Sequence, residues 1–142
     1  MVTITCEFGA DRLFGDGPII RVRVGWDPIF NQNRAGVPNI PADEYRTILD
    51  TGSSHSSIDG VLATQLNLPI VGRGVADGTS GAHDTNIHNG IVHVPQLNHI
   101  HCGPFHAVRL TRGRHVLLGR TFLQHFTMTY AGRTGTVTIS TD

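Results

Sequence analysis

The sequence contains no lysine, and all eleven of its basic residues are arginine. Eleven acidic residues balance them, so the formal net charge is zero at pH 7. A protein that binds nucleic acid through bulk charge needs a basic excess or a basic run, and the sequence has neither. We therefore expect no nucleic-acid partner.

Cysteine and long apolar segments are also scarce. Cys6 and Cys102 are the only cysteines, too few for a disulfide framework, and we expect both thiols to be reduced. No apolar run approaches the length that spans a membrane, and no basic segment followed by an apolar stretch marks a signal peptide. We expect no membrane partner and, by default, a cytoplasmic protein.

Glycine and proline, by contrast, occur along the whole chain, with seventeen and seven residues. They separate short segments of alternating apolar and polar residues, such as Ile19 to Val24, which is typical of half-buried strands. The sequence predicts one all-β domain over residues 1–142, with residues 1–17 unassigned. Strands are predicted at residues 19–24, 45–49, 71–94 (a long hairpin), 105–110, 115–118, 126–130 and 135–140; short helices are predicted at 60–66, with Asp59 as N-cap, and at 120–125.

The segment Asp50-Thr51-Gly52-Ser53 follows two apolar residues at the end of a predicted strand. This position brings Asp50 near the core, where its carboxylate needs hydrogen bonds or a charged partner. Gly52 allows a tight turn and leaves its N–H open to an approaching oxygen, while Thr51 and Ser53 add hydroxyl groups. The same residue types suit an ordinary β-turn, so the four residues alone leave both interpretations open.

This segment resembles the active-site motif of the aspartic proteases, in which an apolar pair precedes Asp-Thr-Gly-Ser or Asp-Thr-Gly-Ala. Later in the chain, Leu117, Leu118 and Gly119 resemble the apolar-apolar-glycine segment that threads beside the catalytic loop in that family. The helix predicted over residues 59–68 and the glycine-rich hairpin over residues 72–94 resemble the helix and the substrate-covering flap of bacterial retropepsin-like proteins. From about residue 19 to residue 140, the chain is similar to the retropepsin-like aspartic proteases.

The resemblance implies a closed β-barrel, the half-lobe of an acid protease, with one or two short helices and a flap hairpin. The centre of the hairpin, which would cover the substrate, is formed by Asp77, Gly78, Thr79, Ser80 and Gly81. The implied reaction needs no cofactor, because two carboxyl groups that share one proton activate a water molecule.

Only one Asp-Thr-Gly is present, whereas the chemistry needs two carboxylates about 3 Å apart. The resemblance therefore implies a C2 homodimer in which Asp50 of each copy lies on the two-fold axis and the pair hydrolyses a polypeptide substrate. It also implies that Thr51 bonds across the axis and that Ser53 hydrogen-bonds the Asp50 carboxylate. We expect the strand of residues 136–140 to pair at the interface.

Two other functions stay open. The segment His99-Ile100-His101-Cys102, with His93 and His106 nearby, offers nitrogen and sulfur ligands for a metal, although its spacing matches no familiar zinc pattern. A domain of the same fold that binds or acts as a scaffold without cleaving is the other alternative. A serine hydrolase is disfavoured because no Gly-x-Ser-x-Gly segment is present.

The chain is unusually rich in histidine, with nine residues. His55 follows the Asp-Thr-Gly segment, where it could titrate near the site, and His83 and His88 belong to the predicted hairpin. The favoured alternative is that these are single surface or half-buried histidines without a role. Protonation of all nine would carry the net charge from zero to +9 before any carboxylate is neutralised. We therefore expect two copies to repel each other more strongly at acid pH.

Overall fold

Ten strands dominate the computed structural model, which describes residues 2–30, 36–78 and 81–141. Three short α-helices and a 3-10 turn at Pro95–Leu97 join them, and no helix in these ranges has the length and apolar character to cross a membrane. The expected all-β class is confirmed. The elements are β1 (Thr3–Glu7), α1 (Ala10–Asp16), β2 (Ile19–Gly25), β3 (Glu44–Leu49), β4 (Ser56–Asp59), α2 (Gly60–Gln65), β5 (Ile70–Gly78), β6 (Gly81–Val94), β7 (His99–Val108), β8 (Val116–Leu118), α3 (Arg120–Leu123), β9 (Thr127–Ala131) and β10 (Thr136–Ser140).

Six of the strands close into a barrel in the order β2, β3, β8, β4, β7, β6. The ring closes because the C-terminal half of β6 pairs with β2 on one edge and with β7 on the other. The N-terminal half of β6 pairs instead with β5, which forms a hairpin outside the ring. Both the closed barrel and the long hairpin were expected from the sequence.

The interior of the barrel follows from the alternation along its strands. In β2, Ile20, Val22 and Val24 are buried, while Arg21 between them is exposed. Phe105 from β7 and Phe122 from α3 are fully buried in the same cluster. Burial of each large apolar side chain stabilises the fold by roughly 1.5–3 kcal/mol, so these residues hold the strands in one register.

A second sheet, with the order β1, β10, β9, packs against the barrel. Ile4, Val137 and Ile139 contribute its apolar face to the same buried cluster. β1 and α1 occupy the segment that the sequence left unassigned. The prediction that residues 136–140 pair with a second copy is wrong, because β1 and β9 already occupy both edges of β10.

Three local expectations also need correction. Residues Ser56–Asp59 form a strand, because β7 and β8 pair with them on either side. Asp59 precedes α2 but does not cap it, since its Oδ1 accepts the Leu110 N–H at 3.2 Å. β7 begins at His99, six residues before the predicted start at Phe105, and α2 ends at Gln65.

Candidate active site

Asp50 directly follows β3, at the start of the loop that leads to β4. Its backbone N–H donates to the Leu118 carbonyl at 2.9 Å, so β8 fixes its position. Its carboxylate Oδ1 accepts the Gly52 N–H at 2.9 Å, which fixes its orientation. The side chain of Asp50 is half-buried, whereas Thr51 and Gly52 are exposed. The loop therefore presents one oriented carboxylate at the surface of the barrel.

β8 lies between the two strands that flank the Asp50 loop. It runs parallel to β3, with Leu118 opposite Leu49, and antiparallel to β4, with Leu117 opposite Ser57. Leu118 is fully buried, which anchors this insertion in the core. A late segment of the chain thus passes beside the loop, as the resemblance of Leu117, Leu118 and Gly119 to a protease motif implied.

Gly119 permits the closest backbone approach at the site. A Cβ atom at this position would lie 2.3 Å from the carbonyl oxygen of His55 and 2.6 Å from that of Ser53. Both atoms belong to the backbone and cannot move aside cheaply. The glycine in the apolar-apolar-glycine segment is therefore required by the packing of β8 against the Asp50 loop.

The first residues of α3 hold the far side of the same loop. The Arg120 N–H donates to the Ser53 carbonyl at 2.8 Å, and the Thr121 N–H donates to the Ser54 carbonyl at 3.3 Å. The Arg120 guanidinium also donates through Nη1 to the Thr51 carbonyl at 2.7 Å. The loop is therefore held by contacts from α3 as well as from β8.

Ser56 supports the candidate site in a way that the sequence analysis missed. Its buried Oγ accepts the Gly119 N–H at 3.2 Å and lies 3.0 Å from the Thr121 hydroxyl. These bonds join β4, β8 and α3 behind the loop. The available signal in the sequence was the apolar Ile58 two residues later, because residues i and i+2 of a strand share a face.

Two predicted roles within the loop are wrong. The Ser53 hydroxyl donates to the His55 carbonyl at 2.8 Å, so it does not hydrogen-bond the Asp50 carboxylate. The Gly52 N–H is not open to an approaching oxygen, because the Asp50 carboxylate accepts it. Both bonds are local side-chain contacts two residues apart, which short polar side chains form readily in turns.

His106 on β7 lies between the Asp50 loop and the β5–β6 hairpin. His106 on β7 lies 5.1 Å from His55, measured between ring centroids, and His55 closes the Asp50 loop. His106 also approaches the hairpin, since its Nδ1 lies 3.4 Å from the Thr85 hydroxyl. A Cβ on Gly74 would lie 3.1 Å from the His106 ring. Burial and the neighbouring His55 lower the pKa of His106.

The predicted substrate-contacting residues lie at the tip of this hairpin. Asp77 pairs with Ala82 and Gly78 pairs with Gly81, which has a φ of 102°. Thr79 and Ser80 fall outside the described residues. Further down the hairpin, His88 is buried and its Nδ1 bonds the Leu68 carbonyl at 2.9 Å, so it supports the structure and does not face the loop.

A histidine–aromatic cluster lies at the other end of α3. His99 and His101 on β7 pack against His125 and Phe126 after the helix and against Phe122 within it. Burial, with the charges of His99 and His125, lowers the pKa of His101 to about 4. The pKa of His99 is also lowered, chiefly by burial, and among the described residues its buried Nε2 has no hydrogen-bond partner.

The histidines and cysteines do not assemble into the metal site that the sequence left open. Within residues 2–30, 36–78 and 81–141, no group of three or more histidine, cysteine or acidic residues has a metal-binding arrangement. Cys102 is a free thiol, and burial raises its pKa. His93 is buried, with a pKa lowered by burial and by Arg23.

Sequence comparisons do not identify the family. No protein-family model matches the chain, and a search of curated proteins finds no match. The resemblance to aspartic proteases therefore stays a prediction, drawn from the sequence motifs at Asp50 and at Leu117, Leu118 and Gly119.

Proposed function

We propose that the chain is an aspartic endopeptidase of the retropepsin-like type, active as a homodimer. The observation that carries the proposal is the oriented Asp50 carboxylate, held by the Gly52 N–H on a loop that β8 and α3 fix through backbone bonds. An ordinary β-turn has no need of a late strand threaded beside it, nor of a glycine there that admits no side chain.

In the proposed reaction, Asp50 of one copy and Asp50 of a second copy share one proton. Like charges this close cannot both ionise, so one carboxylate is a base and the other an acid. The base removes a proton from a water molecule that attacks the peptide carbonyl, and the acid protonates the carbonyl oxygen. The tetrahedral intermediate then collapses, the peptide C–N bond breaks and the leaving nitrogen takes up a proton. No covalent bond to the protein forms.

The surface of the loop supports a contact with a second copy. Thr51 and Gly52 are exposed next to the half-buried Asp50, so they are accessible to an identical loop across a two-fold axis. The β5–β6 hairpin supports the binding of an extended polypeptide. β5 is the last strand of its sheet, with Val71 and Val75 exposed, and extended peptides add to such edges.

The decisive experiment compares purified wild-type protein with Asp50→Asn on a library of peptides at mildly acid pH. Asp50→Asn keeps the shape of the side chain but removes its acid–base chemistry, so cleavage should fall to background. Asp43→Asn, at an exposed position outside the loop, is the matched control and should cleave like the wild type. Cleavage that survived in Asp50→Asn would overturn the mechanism.

Mixing experiments test the shared dyad directly. When wild-type and Asp50→Asn subunits exchange at equal concentration, about one quarter of the dimers contain two intact aspartates. Activity per wild-type subunit should therefore fall by about half, and a linear response to the wild-type fraction would contradict a dyad formed between copies. Native mass must show a dimer under the same conditions.

The alternative of a non-catalytic binding or scaffold protein makes the opposite predictions. It requires no dimer, and it leaves Asp50→Asn without effect on partner binding. A strict monomer that cleaves no peptide would favour this alternative.

A further inference from the structure

A cavity of about 310 Å³ lies between the N-terminal segment and the outer face of the barrel. None of its lining residues belongs to the Asp50 loop. Three of the six are arginines and one is acidic: Phe8, Arg12, Asp16, Ile19, Arg21 and Arg46.

Two of the arginines are direct cross-strand neighbours. Arg21 on β2 lies opposite Arg46 on β3, and both point away from the barrel interior, because Ile20, Val22 and Thr47 beside them are buried. Like charges placed directly opposite each other destabilise a strand pair. Arg12 from α1 adds a third positive charge to the same cavity.

Among the side chains that the structure describes, a set that leaves out Glu7, none neutralises this group through contact. The guanidinium groups of Arg12, Arg21 and Arg46 have no hydrogen bond or ion pair with those side chains or with the described backbone. Other arginines of the chain behave differently. Arg112 donates to the Gly15 carbonyl at 2.7 Å, and Arg23 donates to the Ile40 carbonyl at 3.0 Å. The three cavity arginines therefore keep their donors for a ligand.

We propose that this cavity binds a phosphate-bearing small molecule. Three guanidinium groups and the carboxylate of Asp16 leave a local charge of +2, which matches a phosphate dianion better than a single carboxylate. Guanidinium donors form paired hydrogen bonds with phosphate oxygens. A volume of about 310 Å³ admits inorganic phosphate or a small phosphate ester, at the lower end of ligand pockets.

A bound phosphate would link the N-terminal helix α1 to the outer face of the barrel. It would bridge α1, which carries Arg12, to β2 and β3, which carry Arg21 and Arg46. Its charge would also remove the repulsion between the cross-strand arginines. The ligand should therefore bind the folded chain alone and raise its melting temperature by mass action.

The test measures thermal unfolding at neutral pH with sodium phosphate, against sodium chloride and sodium citrate at matched ionic strength. We expect a saturable rise of about 5 °C at ten times the half-saturating phosphate concentration, and little response to chloride. The rise should disappear in Arg21→Gln and in Arg46→Gln. Arg73→Gln, at an exposed position on the β5–β6 hairpin and outside the cavity lining, is the matched control and should keep the full response.

Several outcomes would overturn the proposal. These are a response equal to that of chloride or citrate, a response retained in both cavity variants, and a response lost in Arg73→Gln. Titration calorimetry with phosphate and with glycerol phosphate gives an independent readout if a variant folds poorly, and it separates the free anion from an ester. Binding of a DNA duplex that phosphate does not displace would also contradict the site. Asp50→Asn should keep the phosphate response, so this proposal and the proposed protease fail independently.

Discussion

The two ends of α3 are built on different physical principles. At its start, Arg120 and Thr121 hold the Asp50 loop by backbone hydrogen bonds of 2.8 and 3.3 Å, and Gly119 lets the chains approach closely. At its end, the histidine–aromatic cluster holds His99 and His101 by burial and ring packing. The first region is held by hydrogen bonds to its backbone. In the second, burial favours the uncharged state of titratable rings.

This difference predicts different weaknesses. The Asp50 loop has little spare volume, so added atoms should disrupt it at every pH. The histidine–aromatic cluster should tolerate changes of apolar shape but not protonation, because a buried charge without a partner is costly. Since one short helix, α3, joins the two regions, a substitution that displaces either end of the helix should also destabilise the other region.

The largest effect should come from Gly119→Ala. The new methyl group would lie 2.3 Å from the His55 carbonyl oxygen, so the loop or β8 must shift. We expect a loss of about 3 kcal/mol or more in the free energy of unfolding, measured by urea denaturation, together with loss of any peptidase activity. Gly72→Ala is the control, because nothing lies within 4 Å of its Cβ, and it should change stability by less than about 0.5 kcal/mol. Equal stability of the two variants would contradict the close approach.

The second prediction concerns acid pH. The folded-state pKa of His101 is about 4, against an ordinary value of 6.5, so the unfolded chain binds more protons between these values. Stability from this group is complete above pH 6.5 and falls as the pH drops towards 4. The loss should be about 3 kcal/mol, and the lowered pKa values of His99 and His106 act in the same direction.

His101→Leu isolates this effect. Leucine keeps an apolar contact with Phe105 and Phe122 but cannot be protonated, so the dependence of unfolding free energy on pH between 6.5 and 4 should flatten. His83→Gln, at an exposed position on the hairpin, should leave the slope unchanged. A slope in His101→Leu as steep as in the wild type would assign the acid sensitivity to other groups. In the wild type, activity that needs a protonated dyad would then be limited at its acid edge by unfolding.

The fold was largely predictable because its signals are local. Alternation located β2, β3 and β8, and glycine-rich turns located the β5–β6 hairpin and the β9–β10 pair. β4 was missed because its four residues, two of them serine, form a strand only by pairing with β7 and β8. Those two strands lie some fifty to sixty residues later in the chain. The pairing of β10 was misjudged for the same reason, since its partner β1 lies at the other end of the chain.

The packing of β8 beside the Asp50 loop was predictable, but the hydrogen bonds of the loop were not. The resemblance of Asp50 and of Leu117, Leu118 and Gly119 to protease motifs implied that a late strand lies beside an early loop, and β8 does so. Which acceptor the Ser53 hydroxyl reaches depends on a few tenths of an ångström in the loop, and sequence pattern does not encode that. The cavity arginines escaped notice because alternation predicts that Arg21 faces outward but does not reveal its neighbour across the strand pair.

Ser56→Ala should have the third-largest effect. It removes the acceptor of the Gly119 N–H and the partner of the Thr121 hydroxyl in a buried place. An unsatisfied buried donor costs about 1–3 kcal/mol, and we expect about 2 kcal/mol by urea denaturation. Thr121→Val tests the coupling, because the double variant should lose less than the sum of the single variants. Strict additivity would show that the two hydroxyls do not interact.

The smallest effect on the free energy of unfolding is expected from Arg120→Met. Arg120→Met keeps most of the side chain's length but removes the 2.7 Å bond to the Thr51 carbonyl, and Arg120 is exposed. Stability should change by no more than about 1 kcal/mol, because water replaces an exposed partner. If Thr51 of one copy contacts Thr51 of the second copy across the dimer axis, however, peptidase activity and dimer affinity should fall more than the free energy of unfolding does. Arg133→Met, which lies in the β9–β10 turn, should alter neither. A loss of stability without any change in dimer affinity would assign Arg120 to the fold alone and separate the Thr51 carbonyl from the proposed interface.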